Sequence, residues 1–399
     1  MSKRRKISRA GALNTIIGLI FVCALSAIAL FTKGGPGAKS STEATATWTI
    51  APASATEVVL PTLAPADDEW IEVYFTDRIN VSDPAQWQNS VEGKLIEKIN
   101  AAQNSIHIAA FEFDLTPVAE ALIAARQRGV DVRWVTDNEY GLEADEDPGR
   151  GQFAMLKEAG IEVRADDRSA LMHNKFIVFD SRVVWSGSTN LTRSAVFKQE
   201  NNALVIRSIA VAAIYEAEFQ EMWNGQFGPK SPSRLSEQSA SVNGSKVWIV
   251  FTPEDGALEQ AIIPLVNAAQ FEVRFLAFSF TDYPLAKAMI DRFHAGVSVA
   301  GVYERVGSDT DAAEFSTLYC AGVPVRRDGN PNFMHNKTIV VDRRYVVTGS
   351  LNYSTSAERS NDENVIVLDN AEIAQLYLQE FEKIWSQAAD PEAGSVVCQ

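Results

Sequence analysis

From about residue 105 onward, short apolar runs alternate with longer stretches in which apolar side chains return every three or four positions. The first kind fits strands, whose side chains alternate between faces, and the second fits helices with one apolar stripe. The pattern predicts a strand over 106–113, an amphipathic helix over 116–128 that stops at Gly129, and a strand over 130–136. A small helix follows, then strands over 175–179, 182–186 and 203–207, and a closing helix over 209–223. Glycine just past the last apolar position is an ordinary helix stop. Strands alternating with helices make this an α/β chain.

The pattern then repeats. Asn100-Ala101-Ala102-Gln103 recurs as Asn267-Ala268-Ala269-Gln270, and Gly129 recurs as Gly296, both at a spacing of 167 residues. Further on the spacing is 162, and it holds for Gly160 and Gly322, His173 and His335, Ser188 and Ser350, Asn190 and Asn352, Tyr215 and Tyr377, and Trp223 and Trp385. The five residues lost fall in the loop from Asp137 to Gly151. One register kept across such unlike residue types means a duplicated module, covering roughly 95–225 and 258–387.

The N-terminal pattern differs. Residues 10–32 carry no charge and follow Lys3, Arg4, Arg5, Lys6 and Arg9, the arrangement of a segment inserted with its basic end in the cytoplasm. The run reads as an uncleaved signal-anchor rather than a cleaved signal peptide, although Ala27-Ile28-Ala29 would suit a signal protease. From 33 to 68 the sequence turns to Gly, Ser, Thr, Ala and Pro, the composition of a disordered tether. The expected organisation is an anchor over 1–32, a tether over 33–68, and modules over 69–240 and 241–399, with the body outside the cytoplasm. The three cysteines indicate neither a disulfide framework nor a Cys-based zinc site. Cys320 and Cys398 could pair in an oxidising compartment, but two unpaired thiols are favoured.

Composition narrows the class. With 46% apolar and 22% charged residues the chain is globular. Its net charge is −15, and beyond residue 33 the balance is 30 basic against 51 acidic residues, a net of −21. That argues against binding that rests on unspecific phosphate contacts, which needs Lys and Arg to displace counterions. The acidic loop Glu139 to Asp147, with Glu143, Asp145, Glu146 and Asp147, could hold a cation, but a solvated loop is the favoured reading.

The chemistry lies in Met172-His173-Asn174-Lys175 and its echo Met334-His335-Asn336-Lys337. Residues two apart on a strand share a face, so each His and its Lys address one space while the intervening Asn faces away. A neutral imidazole beside an ammonium suits attack on an anionic phosphate. Asp180 and Asp342 end the two runs, and seven residues later come Gly187-Ser188-Thr189-Asn190 and Gly349-Ser350-Leu351-Asn352, turns that offer hydroxyl and amide donors. A purely structural role would fit one such copy. It does not fit two that use two of the chain's four histidines. His107 and His294 have no echo and read as packing or surface residues.

His-x-Lys-x4-Asp followed by Gly-Ser-x-Asn, present twice, resembles the phospholipase D superfamily over nearly all of residues 90–388. The resemblance implies two duplicated α/β modules related by a pseudo-two-fold, with mixed sheets flanked by helices in an α-β-α-β-α sandwich, and both His-x-Lys pairs meeting between the halves. It implies catalysis with no metal and no cofactor. One histidine attacks phosphorus and the other protonates the leaving alcohol, then activates water. His173 is assigned as nucleophile and His335 as acid. Lys175, Lys337, Asn190 and Asn352 would bind the non-bridging oxygens, with Ser188 and Ser350 in support and Asp180 and Asp342 fixing turns. The superfamily's Glu opposite a histidine is Glu363. The first copy departs from this, because Asn201 stands at the equivalent position with Glu200 one step earlier. Either that strand shifts by one residue or this half lacks the carboxylate.

The expected activity is phospholipid hydrolysis at a membrane surface, by a body held through its own N-terminal anchor. A nuclease acting on DNA or RNA is the alternative, and phosphatidyl transfer of the cardiolipin synthase kind is the third. A catalytically idle binding module is disfavoured by the intact motifs. Nothing in the sequence specifies an oligomer.

Overall fold

In a computed structural model, which describes residues 70–392 and 394–398, the apolar runs pair into two mixed sheets. The first contains β1 (Ile71–Phe75), β2 (Ser105–Ala110), β3 (Asp131–Thr136), β4 (Glu162–Ala165), β5 (Lys175–Phe179), β6 (Val183–Gly187) and β7 (Asn202–Arg207) in the order β1-β7-β6-β5-β2-β3-β4. The second contains β8 (Ser239–Val242), β9 (Ser245–Thr252), β10 (Glu272–Ala277), β11 (Ser298–Tyr303), β12 (Val325–Arg327), β13 (Lys337–Val341), β14 (Tyr345–Gly349) and β15 (Glu363–Asp369) in the order β12-β11-β10-β13-β14-β15-β9-β8. In each, three strands run parallel (β2-β3-β4 and β10-β11-β12) and the rest pair antiparallel. The duplication therefore extends to β1 and β9, which flank β7 and β15 alike.

Every residue of β5 and β13 is buried, which is why both read as unbroken apolar runs rather than alternating ones. Their outer neighbours are helices Val91–Ala101, Thr116–Gln127 and Gln152–Glu158 on the first sheet, where Phe113, Trp134 and Phe153 interlock. On the second sheet, helices Tyr283–His294 and Phe315–Cys320 cover Phe275, Phe280 and Tyr303. The inner layer mixes the modules: Phe176, Tyr215 and Phe219 pack in one core with Phe251, Val346 and Tyr377. It holds helices Ile209–Trp223 and Ala371–Gln387, whose first turns are capped by Ser208 and Asn370. Burying one continuous apolar layer between the sheets welds the halves together.

Several expectations change. The strand predicted over 106–113 ends at Ala110, and Phe113 instead makes a lone bridge to Leu191. β1, the β8–β9 hairpin, the short parallel strands β4 and β12 and helix Val91–Ala101 were not among the predicted elements. The last buries Glu92 and Gly93 along with Val91, Leu95 and Ile99. β8 begins at Ser239 and belongs to the second sheet, so the division at 240/241 cuts through it. Cys320 and Cys398 are joined, tying the C-terminal segment to helix Phe315–Cys320, where unpaired thiols were favoured. Local patterning does not constrain how closely residues 78 positions apart approach. Asp145 accepts from the backbone N–H groups of Gly151, Phe153 and Ala154, so this member of the acidic loop starts a helix. The anchor and tether expected over 1–32 and 33–68 lie outside the described residues; among those described, no helix is long and apolar enough to cross a membrane.

Glu218 on helix Ile209–Trp223 is buried close to Glu254, Glu221 and Asp255. Burial, with these neighbouring carboxyls, drives Glu218 well above the ordinary carboxylate range, and burial pushes Glu254 up to about 8. Both groups bind a proton more tightly folded than unfolded, so their contribution to stability is complete below pH ~4.5 and is lost as pH rises towards ~8. The melting temperature should therefore fall between pH 5 and pH 8, and Glu218→Gln with Glu254→Gln should flatten that fall. An unchanged slope in the double variant, measured by thermal denaturation across pH, would refute the assignment.

Candidate active site

The two His-x-Lys segments are placed by the opposite module. The His173 N–H donates to the Asp362 carbonyl at 2.9 Å, and the Asp362 N–H donates to the Leu171 carbonyl at 2.9 Å. In the mirror arrangement the His335 N–H donates to the Glu200 carbonyl at 2.8 Å and the Glu200 N–H to the Phe333 carbonyl at 2.9 Å. Each histidine thus enters its strand from a two-bond bridge to the segment just ahead of the other module's β7 or β15. The Arg168 guanidinium, held by Asp166, pairs with the Asp362 side chain and locks the first bridge.

Behind these bridges lies a seam of amides. Asn364 donates to Asn174 Oδ1 at 2.9 Å, and its own Oδ1 accepts from the Ser186 hydroxyl at 2.8 Å and the Tyr215 hydroxyl at 3.2 Å. Asn202 repeats this across the pseudo-two-fold, donating to Asn336 Oδ1 at 2.8 Å and accepting from Thr348 at 2.8 Å and Tyr377 at 3.1 Å. All four asparagines are fully buried. Each takes a hydrogen bond from or gives one to the other module, and stranding such a buried amide would cost about 1–3 kcal/mol. The Asn between His and Lys does face away from the shared space, into this seam.

Within the shared space, His173 Nδ1 lies 2.6 Å from Glu363 Oε2, while His335 Nδ1 lies 2.9 Å from Asn201 Oδ1. The strand has not shifted: Asn201 occupies the place of the carboxylate, and Glu200 supplies the backbone bridge. With Nδ1 occupied on each ring, Nε2 is the nitrogen left for chemistry. Lys175 and Lys337 are buried, donate to the carbonyls of His173 and His335 at 2.7 and 2.9 Å, and lie over the rings of Phe111 and Phe278. The same two rings contact the imidazoles of His173 and His335.

Burial, with the charges of both lysines, holds both imidazoles well below the ordinary histidine range. Burial pushes Glu363 up to about 8, against the pull of Lys175, Ser350, Asn361 and Lys337. For Nε2 of His173 to keep its lone pair, the imidazole proton must lie on Nδ1, facing Glu363.

The Gly-Ser-x-Asn turns wrap the rear of the site. Gly187 and Gly349 have φ of +140° and +138°, and a Cβ there would meet the carbonyl oxygens of Asn202 and Asn364 at 2.5 and 2.2 Å, so only glycine fits. The Ser188 hydroxyl donates to Asn201 Oδ1 at 2.9 Å, and Ser350 bonds Glu363; the serines thus act on the partners of the histidines. Asn190 donates to Glu112 at 2.7 Å, which Arg150 also pairs with at 3.2 Å, while Asn352 is partly exposed. Asp180 and Asp342 are not brought to the site. They stand at the far ends of β5 and β13 and accept from the backbone of residues 103–105 and 270–272, which explains the repeated Asn-Ala-Ala-Gln turn. His107 pairs with Glu216 and stacks on Phe219, and His294 is the exposed last residue of helix Tyr283–His294, as packing and surface residues are.

Sequence reasoning missed Phe111, Phe278, Glu112, Arg150 and the seam asparagines. The repeat carried a signal for some of them: Phe111 and Phe278 obey the 167 spacing, and Asn202 with Asn364, like Asn174 with Asn336, obeys the 162 spacing. Glu112 and Arg150 have no such signal, because Ser279 replaces the first and the second lies in the loop that the other copy shortens.

A family profile described as "Cardiolipin synthase, PLD-like domain" matches residues 95–223 and 262–385, one match per module. The mitochondrial cardiolipin hydrolase of Xenopus laevis is 33% identical over 153 residues, covering 38% of this chain and 70% of that protein. A phospholipase D of Rickettsia bellii is 32% identical over 149 residues, covering 37% of this chain and 74% of that protein. The crystal structure of a phosphatidylserine synthase from Haemophilus influenzae superposes with a TM-score of 0.58 over 80% of this chain and 86% of that chain, and at 16% identity it speaks for the fold alone. With both modules matched and each His-x-Lys pair seated between them, the chain belongs to the phospholipase D-like family.

Proposed function

We propose that this chain is a phosphodiesterase of the phospholipase D type, hydrolysing phospholipid phosphodiester bonds through a phosphohistidine on His173. The observation that carries the reading is the pairing of two buried imidazoles, each with Nδ1 engaged, with two buried lysine ammonium groups. A neutral His173 supplies the nucleophile, and a protonated His335 supplies the acid.

In the first step the Nε2 lone pair of His173 forms a bond to phosphorus. The bond from phosphorus to the leaving alcohol breaks, and its electron pair takes a proton from His335 Nε2. In the second step His335 Nε2 removes a proton from water, whose oxygen attacks phosphorus, and the P–N electron pair returns to His173. Lys175 and Lys337, with the second amide N–H of Asn190 and the amide of Asn352, hold the non-bridging oxygens where charge develops. Lipid is the preferred substrate because the relatives described above are named for cardiolipin and phospholipid hydrolysis. The formal charge of −15 also disfavours a nucleic-acid polyanion.

The proposal includes a catalytic body outside the cytoplasm. Support comes from the uncharged run over 10–32 behind a basic cluster and from the joined Cys320 and Cys398, a bond that persists in oxidising compartments. Protease added to intact cells should digest the body; protection until lysis would refute this location.

His173→Ala and His335→Ala should each lower turnover by roughly 10³-fold or more, read as headgroup release from phosphatidylcholine and cardiolipin vesicles with EDTA present. Retention of a tenth of the rate by either variant would remove that imidazole from the mechanism. Cleavage of single-stranded DNA without lipid turnover would overturn the substrate.

The pH profile follows from the depressed imidazoles. One must be neutral and the other protonated, and both titrate below the ordinary value, so kcat/KM should be bell-shaped with its centre below pH 6.5. Activity should decline as pH rises through neutrality, because the acid loses its proton. A plateau extending to pH 8 would contradict it.

A further inference from the structure

Glu363 and Asn201 are equivalent positions of the duplication, each the side chain bonded to Nδ1 of the opposite histidine, yet one is a carboxyl group and the other an amide. The amide cannot turn round. Its Nδ2 donates to the Ala195 carbonyl at 3.1 Å and its Oδ1 accepts from the Ser188 hydroxyl at 2.9 Å, in a fully buried position. The oxygen therefore faces His335, whose Nδ1 must carry hydrogen, which leaves Nε2 as acid or base. A carboxylate at this place would stabilise an imidazolium; a neutral oxygen does so far less, with Lys175 and Lys337 both acting on the ring.

The difference acts in opposite senses on the two half-reactions. Forming the phosphohistidine makes the His173 ring more positive, beside Glu363, and converts His335 from imidazolium to imidazole, beside Asn201. Both changes suit the partner present. Breaking it reverses both, and His335 has to take a proton from water with no anion touching its ring. Resting on the phosphodiesterase reading above, we propose that Asn201 is a positioning residue that makes breakdown of the phosphohistidine the slow half-reaction, so that the phosphoryl group dwells on His173.

Bis(p-nitrophenyl) phosphate mixed rapidly with the full chain tests this. Release of p-nitrophenolate should show a burst approaching one equivalent per active site, followed by a slower steady rate. Methanol should raise that steady rate while methyl p-nitrophenyl phosphate appears, because an added acceptor accelerates turnover only when breakdown limits it. Mass spectrometry under alkaline conditions should find the label on His173. Asn201→Asp, which keeps the shape and supplies the anion, should shrink the burst and raise the steady rate by on the order of three- to tenfold, with a Brønsted-type dependence on the base. If methyl ester forms but no burst appears and methanol leaves the rate unchanged, the inference fails while the phosphodiesterase reading survives. A folded Asn201→Asp enzyme with wild-type burst and rate would remove Asn201 from the role. If p-nitrophenolate is never released, the phosphodiesterase reading itself falls. The wild-type burst and the methanol response decide the slow step even if the variant does not fold.

Discussion

His173 and His335 are held in register by backbone hydrogen bonds to the opposite module, through the carbonyls of Asp362 and Glu200. Backbone bonds of this kind fix a strand entry more rigidly than side-chain packing does, because they constrain the chain itself and are independent of rotamer. The seam asparagines sit directly behind, and Asn364 and Asn202 bond across the interface to Asn174 and Asn336. A half-formed interface would strand four buried amides along with the bridges, so partial docking is penalised and the two imidazoles arrive together or not at all. The meeting of the two imidazoles is thereby a property of the assembled pair of modules.

This constraint explains why both lysines can be buried. Lys175 and Lys337 are taken out of water beside aromatic rings and backbone carbonyls and act on the buried Glu363. An anionic phosphate placed between them would add a further counter-charge. Burial and the same ammonium groups hold both imidazoles below the ordinary histidine range, so the field that would attract an anionic phosphate also favours a neutral His173. Glu363 completes the balance by holding the proton on the far side of His173.

Much of this was legible in the sequence because duplication converts position into evidence. The 162 spacing tied His173 to His335 and Ser188 to Ser350, and the alternation of apolar runs gave β2, β3, β5, β6 and β7 with small errors at the ends. The equivalence of Asn201 with Glu363 came from the same spacing. What stayed hidden is of two kinds. Strands such as β1, at a sheet edge, and β9, between β15 and β8, pair with β7 or β15 far away in sequence, and local patterning does not specify that partner. Buried polar residues are the other kind: Asn202 and Asn364 sit inside apolar strands, where an amide reads as a defect until its acceptor on the other module is known. Asp180 shows the converse, since a carboxylate that ends a catalytic motif instead binds three backbone N–H groups of a turn.

The places where the copies differ matter as much as those where they agree. Bridges, seam, lysines, aromatic rings and glycine turns are repeated, and all of them position groups. Glu112, Arg150 and the longer loop from Asp137 to Gly151 occur on the His173 side alone, and so does the carboxyl group that meets its imidazole. A two-step displacement needs two groups at equal distance from one phosphorus but with unequal proton affinity. Duplication supplies the first requirement without further adjustment. The second can come only from divergence at the few side chains touching the rings, and among the described residues the change that meets Nδ1 directly is the exchange of a carboxyl group for the amide of Asn201.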